Sequence, residues 1–182
     1  MRHYERRLPH WDAVGQPMFV TFRLHGSLPA QRVFPPDRVT TSGRTFVAMD
    51  RILDRAATGP LFLRRREIAS LVVTSLRDGD RQLHRYELHA FVVMPNHVHV
   101  LVTPKVVARQ WLGPLKGFTA HQANDFQGIH GRAFWQDESY DHLVRSEVQF
   151  ERIRAYIEQN PVTAGLAVTA EAFPWSSATE AA

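Results

Sequence analysis

The chain has 182 residues, enough for one domain with a buried core. It contains no cysteine, which excludes disulfides and thiolate metal sites, and no apolar run approaches membrane-spanning length, so we expect a cytoplasmic protein without membrane association. The net charge is +4, and Lys105 and Lys116 are the only lysines, so the positive charge is almost all arginine. Arginine favours a nucleic-acid partner because its planar fork bonds two phosphate oxygens, although an arginine-rich genome would produce the same bias.

The N-terminal residues 1–11 mix basic and aromatic side chains. Arg2, Arg6 and Arg7 stand among tyrosine, histidine and tryptophan. This mixture suits a DNA-binding arm, because arginine pairs with phosphate and aromatic rings stack on bases. A solvated chain end is the other interpretation.

A first strand is predicted from Met18 to Leu24, where apolar residues dominate. Because side chains alternate along a strand, Phe19, Thr21 and Arg23 would share one face. The other face would carry Val20, Phe22 and Leu24.

Two helices are predicted before the centre of the chain. Apolar residues follow helical spacing from Thr45 to Ala57 and again from Pro60 to Leu76. The segment Arg77 to Arg81, which contains Asp-Gly-Asp, predicts a turn after the second helix.

The central hairpin carries two histidines on one strand face. Strands are predicted from Tyr86 to Val93 and from His97 to Thr103, joined by Met-Pro-Asn. His97 and His99 share one face of the second strand, and its valines share the other. Two neighbouring imidazoles on a rigid strand can hold a metal ion, whereas two half-exposed histidines without a ligand are the simpler alternative.

The C-terminal half predicts two more helices. One runs from Val106 to Phe126, with Leu112 as an alternative start, and a short extended piece from His142 to Arg145 follows. The last helix runs from Glu147 to Asn160, because Ser146 can cap its start and Pro161 disfavours helical geometry at the residue before it. Its buried stripe is Phe150, Ile153 and Ile157, and one flank carries Arg152, Tyr156 and Asn160.

The segment MPNHVHVLV resembles the HUH motif, histidine-hydrophobic-histidine, of single-tyrosine transposases. The segments RRLPHWDAVGQPMFVTFRL, FWQDESYDHLVRS, IRAYIEQNPVTAGL and FPWSS resemble the REP-associated branch of that family, in the same order. The resemblance implies an α+β fold with a ferredoxin-like, RRM-like antiparallel sheet of four to five strands and helices mainly on one face. Residues 1–182 would form a single HUH-type domain, with a basic arm at 1–11 and a tail from about residue 166 to the end.

The resemblance also implies roles for individual residues. Tyr156 would be the nucleophile, and His97, His99 and Asn160 would hold Mg²⁺ or Mn²⁺. Tyr140 is the rival nucleophile, ahead of the weaker candidates Tyr4 and Tyr86. The residues expected to bind DNA are Arg2, Arg6, Arg7, Lys105, Arg109 and Lys116.

The implied function is a transposase-like enzyme that nicks and rejoins single-stranded or hairpin DNA through a 5′-phosphotyrosine, acting as a monomer or a homodimer. The sequence contains no nucleophile elbow, Walker loop or dinucleotide fingerprint. Two alternatives stay open: a module that binds DNA or RNA hairpins without cutting them, and a metal phosphodiesterase that uses water.

Overall fold

The computed structural model describes residues 2–5, 9–28, 52–54 and 59–180. The strands are β1 (Arg2–Glu5), β2 (Pro9–Asp12), β3 (Met18–Arg23), β4 (Tyr86–Val93), β5 (His97–Pro104) and β6 (Tyr140–Leu143). A two-stranded sheet pairs β1 with β2, and a four-stranded antiparallel sheet has the order β4-β5-β3-β6.

Three long helices accompany the sheet: α1 (Arg66–Arg81), α2 (Ala108–Gln127) and α3 (Glu147–Thr163). Short 3₁₀ segments occupy Phe62–Arg64 and Ser177–Glu180, and residues 52–54 are helical. The rest of the helix predicted from Thr45 to Ala57 lies outside the described residues. No helix in the described ranges is both long and apolar enough to cross a membrane.

One side of the four-stranded sheet, which we call the valine face, carries the larger core. Val98, Val100 and Val102 of β5 are fully buried there, and α1 and α2 pack over them. The neighbouring strands contribute Met18, Val20, Phe22, Tyr86, Phe91 and Val93 to the same cluster.

The opposite side, which we call the histidine face, carries a smaller apolar cluster under α3. Leu101 of β5 and Ile157 of α3 are fully buried in it. Its other buried members are Phe19, Ala90, Val92, Met94 and Val144. The predicted α+β class and antiparallel sheet are confirmed, and alternation along β3 and β5 assigns each residue to the expected face.

A bulge in β4 adjusts which residues reach each face. The pairing with β5 shifts between Leu88 and Ala90, so His89 is the extra residue. As a result Leu88 and Phe91 both pack on the valine face, although a regular strand would separate them.

The prediction of a turn from Arg77 to Arg81 is wrong, because α1 continues through that segment. Gly79 is destabilising inside a helix in general, but here a side chain at this position would collide with the hydroxyl of Tyr86. The Tyr86 hydroxyl donates to the carbonyl of Leu76 at 2.8 Å. This tertiary contact holds the last turn of the helix, which also begins at Arg66 rather than at Pro60.

Three other boundaries also differ from expectation. The helix α3 passes through Pro161 to Thr163, and buried Asn160 and Pro161 hold this last turn against the fold. The helix α2 starts at Ala108, which makes the alternative start near Leu112 wrong. The extended piece near His142 is the strand β6, two residues earlier than predicted.

Candidate metal and nucleophile site

The two histidines of β5 lie side by side beneath α3. Their Nε2 atoms are 3.0 Å apart, and both residues are fully buried. The two nitrogens lie at hydrogen-bond distance from each other and are also close enough to bind one ion together. The pair therefore has the spacing of two neighbouring ligands of one metal ion.

The hydrogen bonds of His97 fix which of its nitrogens carries the proton. Asn96 donates from Nδ2 to the carbonyl of Leu53 at 3.0 Å, so its Oδ1 faces Nδ1 of His97, 2.7 Å away. Because an amide oxygen only accepts, Nδ1 of His97 must donate. The neutral imidazole then keeps a lone pair on Nε2, which is the form that binds a metal.

His99 is oriented by Thr21, its cross-strand neighbour on β3. The Thr21 hydroxyl lies 2.7 Å from Nδ1 of His99. Without a metal, His99 donates from Nε2 to His97 and accepts from the hydroxyl. The Thr21 hydroxyl could equally accept from Nδ1 of His99, since a hydroxyl can donate or accept, and Nε2 of His99 would then be free to hold a metal ion.

The helix α3 brings Tyr156 and Asn160 to this pair. The ring centroid of Tyr156 is 5.7 Å from that of His99, and its exposure is intermediate. Asn160 is buried, and its Nδ2 lies 3.5 Å from the Tyr156 hydroxyl, at the outer limit of a hydrogen bond. The Ser146 hydroxyl accepts from the Gln149 N–H and caps the start of the helix, as predicted.

Phe19 of β3 connects the parts of the site. Its ring lies 5.4 Å from His99, 6.2 Å from Tyr156 and 6.4 Å from Tyr140, with edge-on geometry to both tyrosines. Tyr156 and His99 therefore pack against the same apolar side chain.

The donor chemistry of these residues fits a divalent ion. Among the described residues no three histidine, cysteine, aspartate or glutamate side chains come together as a metal site. A site here therefore needs a ligand of another kind, and the buried amide of Asn160 lies next to Tyr156, whose ring in turn lies near His99. Amide oxygen and water favour Mg²⁺ or Mn²⁺, while imidazole also suits softer metals.

The rival tyrosines occupy different environments. Tyr140 pairs with Thr21 across the strands, so it also lies on the histidine face. Tyr86 is buried on the valine face, away from the histidines, its hydroxyl donates to the carbonyl of Leu76, and burial raises the pKa of that hydroxyl well above the ordinary value. Tyr4 lies in β1, opposite His10.

His142 belongs to the edge of the same face. It pairs with Phe19 across the strands, and its Nε2 lies 2.7 Å from Nε2 of Gln149 on α3. Burial, and then the nearby charge of Arg145, lower the pKa of His142. The neutral imidazole of His142 therefore helps to hold α3 against the edge strand β6.

Of the cations predicted to bind DNA, those whose side chains the structure describes lie away from the histidines. Arg109 and Lys116 line a cavity of about 220 Å³ between α2 and β6, on the valine-face side. Lys116 donates to the carbonyls of Gln136 and Asp137 at 2.6 and 2.9 Å, which ties it to the loop before β6. Lys105 is exposed just after β5, Arg2 lies in β1, and Arg6 and Arg7 lie outside the described residues.

The residues that sequence reasoning missed are those that orient the two histidines. Asn96 precedes His97 directly, and Thr21 faces His99 across two strands distant in the chain. Asn96 could have been identified from the sequence, because it directly precedes His97 and its amide oxygen can accept from the imidazole. Nothing in the sequence pairs Thr21 with a residue 78 positions later.

Comparison with known proteins identifies the relatives of this arrangement. The family model described as IS200-like transposase matches residues 74–160. The predicted resemblance to single-tyrosine transposases is confirmed. The matched stretch contains both histidines, Tyr156 and Asn160.

A solved structure extends the likeness to the whole fold. A REP-associated tyrosine transposase bound to a REP hairpin superposes with a TM-score of 0.57 at 18% identity, covering 99% of this chain and 84% of that one. At this identity the likeness shows a shared fold. No protein of curated function matches the sequence significantly.

Proposed function

We propose that this protein is a metal-dependent endonuclease and strand transferase that acts on single-stranded or hairpin DNA. The observation that carries the proposal is the position of Tyr156, whose ring lies 5.7 Å from His99 and whose hydroxyl faces Asn160. A phenol beside two imidazoles that could hold a metal ion can attack a phosphate covalently.

In the proposed cleavage reaction, Tyr156 is the nucleophile and the other site residues would hold the metal ion. The Tyr156 oxygen attacks phosphorus in line, so a P–O bond to tyrosine forms while the bond to the 3′ oxygen breaks. The phenol gives up its proton and the leaving 3′ oxygen gains one, which yields a 5′-phosphotyrosine and a free 3′-hydroxyl. Bound Mg²⁺ or Mn²⁺, held by His97, His99 and Asn160, would supply stabilisation of charge on the phosphoryl and leaving oxygens.

The covalent link also explains how strands can be rejoined. The bond energy stays in the phosphotyrosine, so a 3′-hydroxyl can reverse the attack without ATP. One tyrosine cuts one strand at a time, which suits single-stranded substrate. The superposed transposase is bound to a REP hairpin, and that likeness favours a palindromic DNA hairpin as the substrate of this chain.

Tyr156→Phe tests the nucleophile, since it removes only the hydroxyl and leaves the ring against Phe19. We expect cleavage of a fluorescent DNA hairpin and the covalent adduct to vanish, while hairpin binding and thermal stability change little. Tyr140→Phe is the matched control, because it removes a hydroxyl on the same face, and it should keep both activities.

Three results would replace the proposal. An adduct that mass spectrometry locates on Tyr140 would reassign the nucleophile. Cleavage without any adduct in wild-type protein would favour the phosphodiesterase that uses water. Hairpin binding with no cleavage under any metal would favour the non-catalytic binding module.

The N-terminal segment is proposed to contribute to recognition of the DNA beside the hairpin. Strands β1 and β2 form a hairpin, and β2 contacts the edge strand β6 of the sheet that carries the histidines. Deletion of residues 1–11 should weaken binding and spread the cut positions. Affinity should also fall as salt rises, because phosphate contacts release counterions. If the deletion variant binds DNA with unchanged affinity and cuts at the same position, the N-terminal segment has no role in recognition.

A further inference from the structure

The site contains a carboxylate that its sequence motifs do not include. Oδ1 of Asp54 lies 3.8 Å from Nε2 of His97. The Asp54 side chain is only 15% exposed, and the His97 side chain is fully buried. A carboxylate therefore lies next to the nitrogen that would bind the ion.

The position of Asp54 is set by the same amide that orients His97. Asn96 bonds to Nδ1 of His97 through its oxygen and to the carbonyl of Leu53 through its nitrogen. Leu53 is buried and directly precedes Asp54 in the helical residues 52–54. One side chain thus fixes both the imidazole ring and the segment that carries the carboxylate.

The charge balance of the site gives this carboxylate a role. Two imidazoles and one amide are neutral ligands, and a divalent ion in a buried neutral site is costly without a compensating anion. A DNA phosphate supplies negative charge only after substrate binds. A nearby aspartate can supply it beforehand.

We propose that Asp54 is the anionic partner of the metal ion, bound through one of the ion's water molecules. The distance of 3.8 Å between Oδ1 of Asp54 and Nε2 of His97 exceeds a hydrogen bond but is within ion-pair range, so the carboxylate lies beside the nitrogen that would hold the ion. Mg²⁺ and Mn²⁺ keep several waters when bound to proteins, so a carboxylate that accepts from such a water favours these ions. The inference rests on the proposed metal site and adds the residue that sets its charge.

Binding of Mn²⁺ to the DNA-free protein tests this role separately from catalysis. Electron paramagnetic resonance measures unbound Mn²⁺, and isothermal titration calorimetry gives the same affinity independently. Asp54→Asn should weaken Mn²⁺ binding by about tenfold, the effect expected for loss of an outer partner of a metal site. Asp78→Asn, which removes an exposed carboxylate near the end of α1, should leave the affinity unchanged.

Two further variants separate the possible failures. His97→Ala should abolish Mn²⁺ binding; if it does not, the metal site itself is misplaced and the proposed function fails with it. If His97→Ala abolishes binding while Asp54→Asn keeps wild-type affinity, only the role of Asp54 is overturned. Asp54→Glu retains the charge and should keep most of the affinity, and thermal unfolding of each variant shows that a loss does not come from misfolding.

Discussion

The two faces of the four-stranded sheet use the same strands for different purposes. Val98 and Val100 of β5 enter a large apolar core under two helices, while His97 and His99, their immediate neighbours, face a small cluster under one helix. That single helix also carries Tyr156 and Asn160. The valine face buries the larger apolar cluster and so contributes more to stability, which allows the histidine face to bury polar groups that reduce it.

The sharpest test of this division is His97→Ala. It removes a ligand nitrogen from the histidine face, and cleavage should fall by at least about a thousandfold because several kcal/mol of charge stabilisation are lost. Hairpin binding, followed by fluorescence anisotropy, should remain close to wild type. If this variant cleaves DNA at the wild-type rate when metal is supplied, the histidine face is not the site of the reaction.

Thr21→Val is the next largest effect expected on activity. Valine keeps the β-branched shape but removes the hydroxyl that orients His99, so metal affinity should fall by about 10- to 100-fold. Excess Mn²⁺ should restore much of the cleavage rate, because the ligands themselves remain. An unchanged Mn²⁺ titration curve would exclude Thr21 as the residue that orients His99.

Val100→Ala tests the valine face on the same strand. It leaves a cavity in the larger core, and the free energy of unfolding should fall by about 2 kcal/mol in chemical denaturation. Cleavage per folded molecule should stay at the wild-type level, since the histidines point the other way. A large loss of cleavage with little loss of stability would show that the two faces are coupled.

Ser146→Ala is expected to give the smallest effect. It removes the cap of α3, so the free energy of unfolding should fall by about 1 kcal/mol, with a slight loss of cleavage if the helix end frays. Ser75→Ala on α1 is the comparison, because that hydroxyl bonds to the carbonyl of Leu71 within its own helix and caps nothing. Equal destabilisation by both variants would mean that the cap has no special role.

Local patterns predicted much of this fold. Alternation assigned β3 and β5 their faces, and the Ser146 cap marked the start of α3. The errors came where packing outweighs local preference. The last turns of α1 and α3 contain Gly79 and Pro161, which weaken an isolated helix, yet buried contacts keep both turns helical.

The sequence by itself placed His97 and His99 on one face of a strand and Tyr156 and Asn160 on one flank of a helix, and its resemblance to single-tyrosine transposases implied their roles. Only the tertiary structure decided that Thr21 and Asn96 hold the imidazoles, that Asp54 lies beside them, and that Tyr86 is buried away from the site. The physical reason is distance along the chain: side chains that meet across strands, or from a segment more than 40 residues away, leave no periodic signal in the sequence.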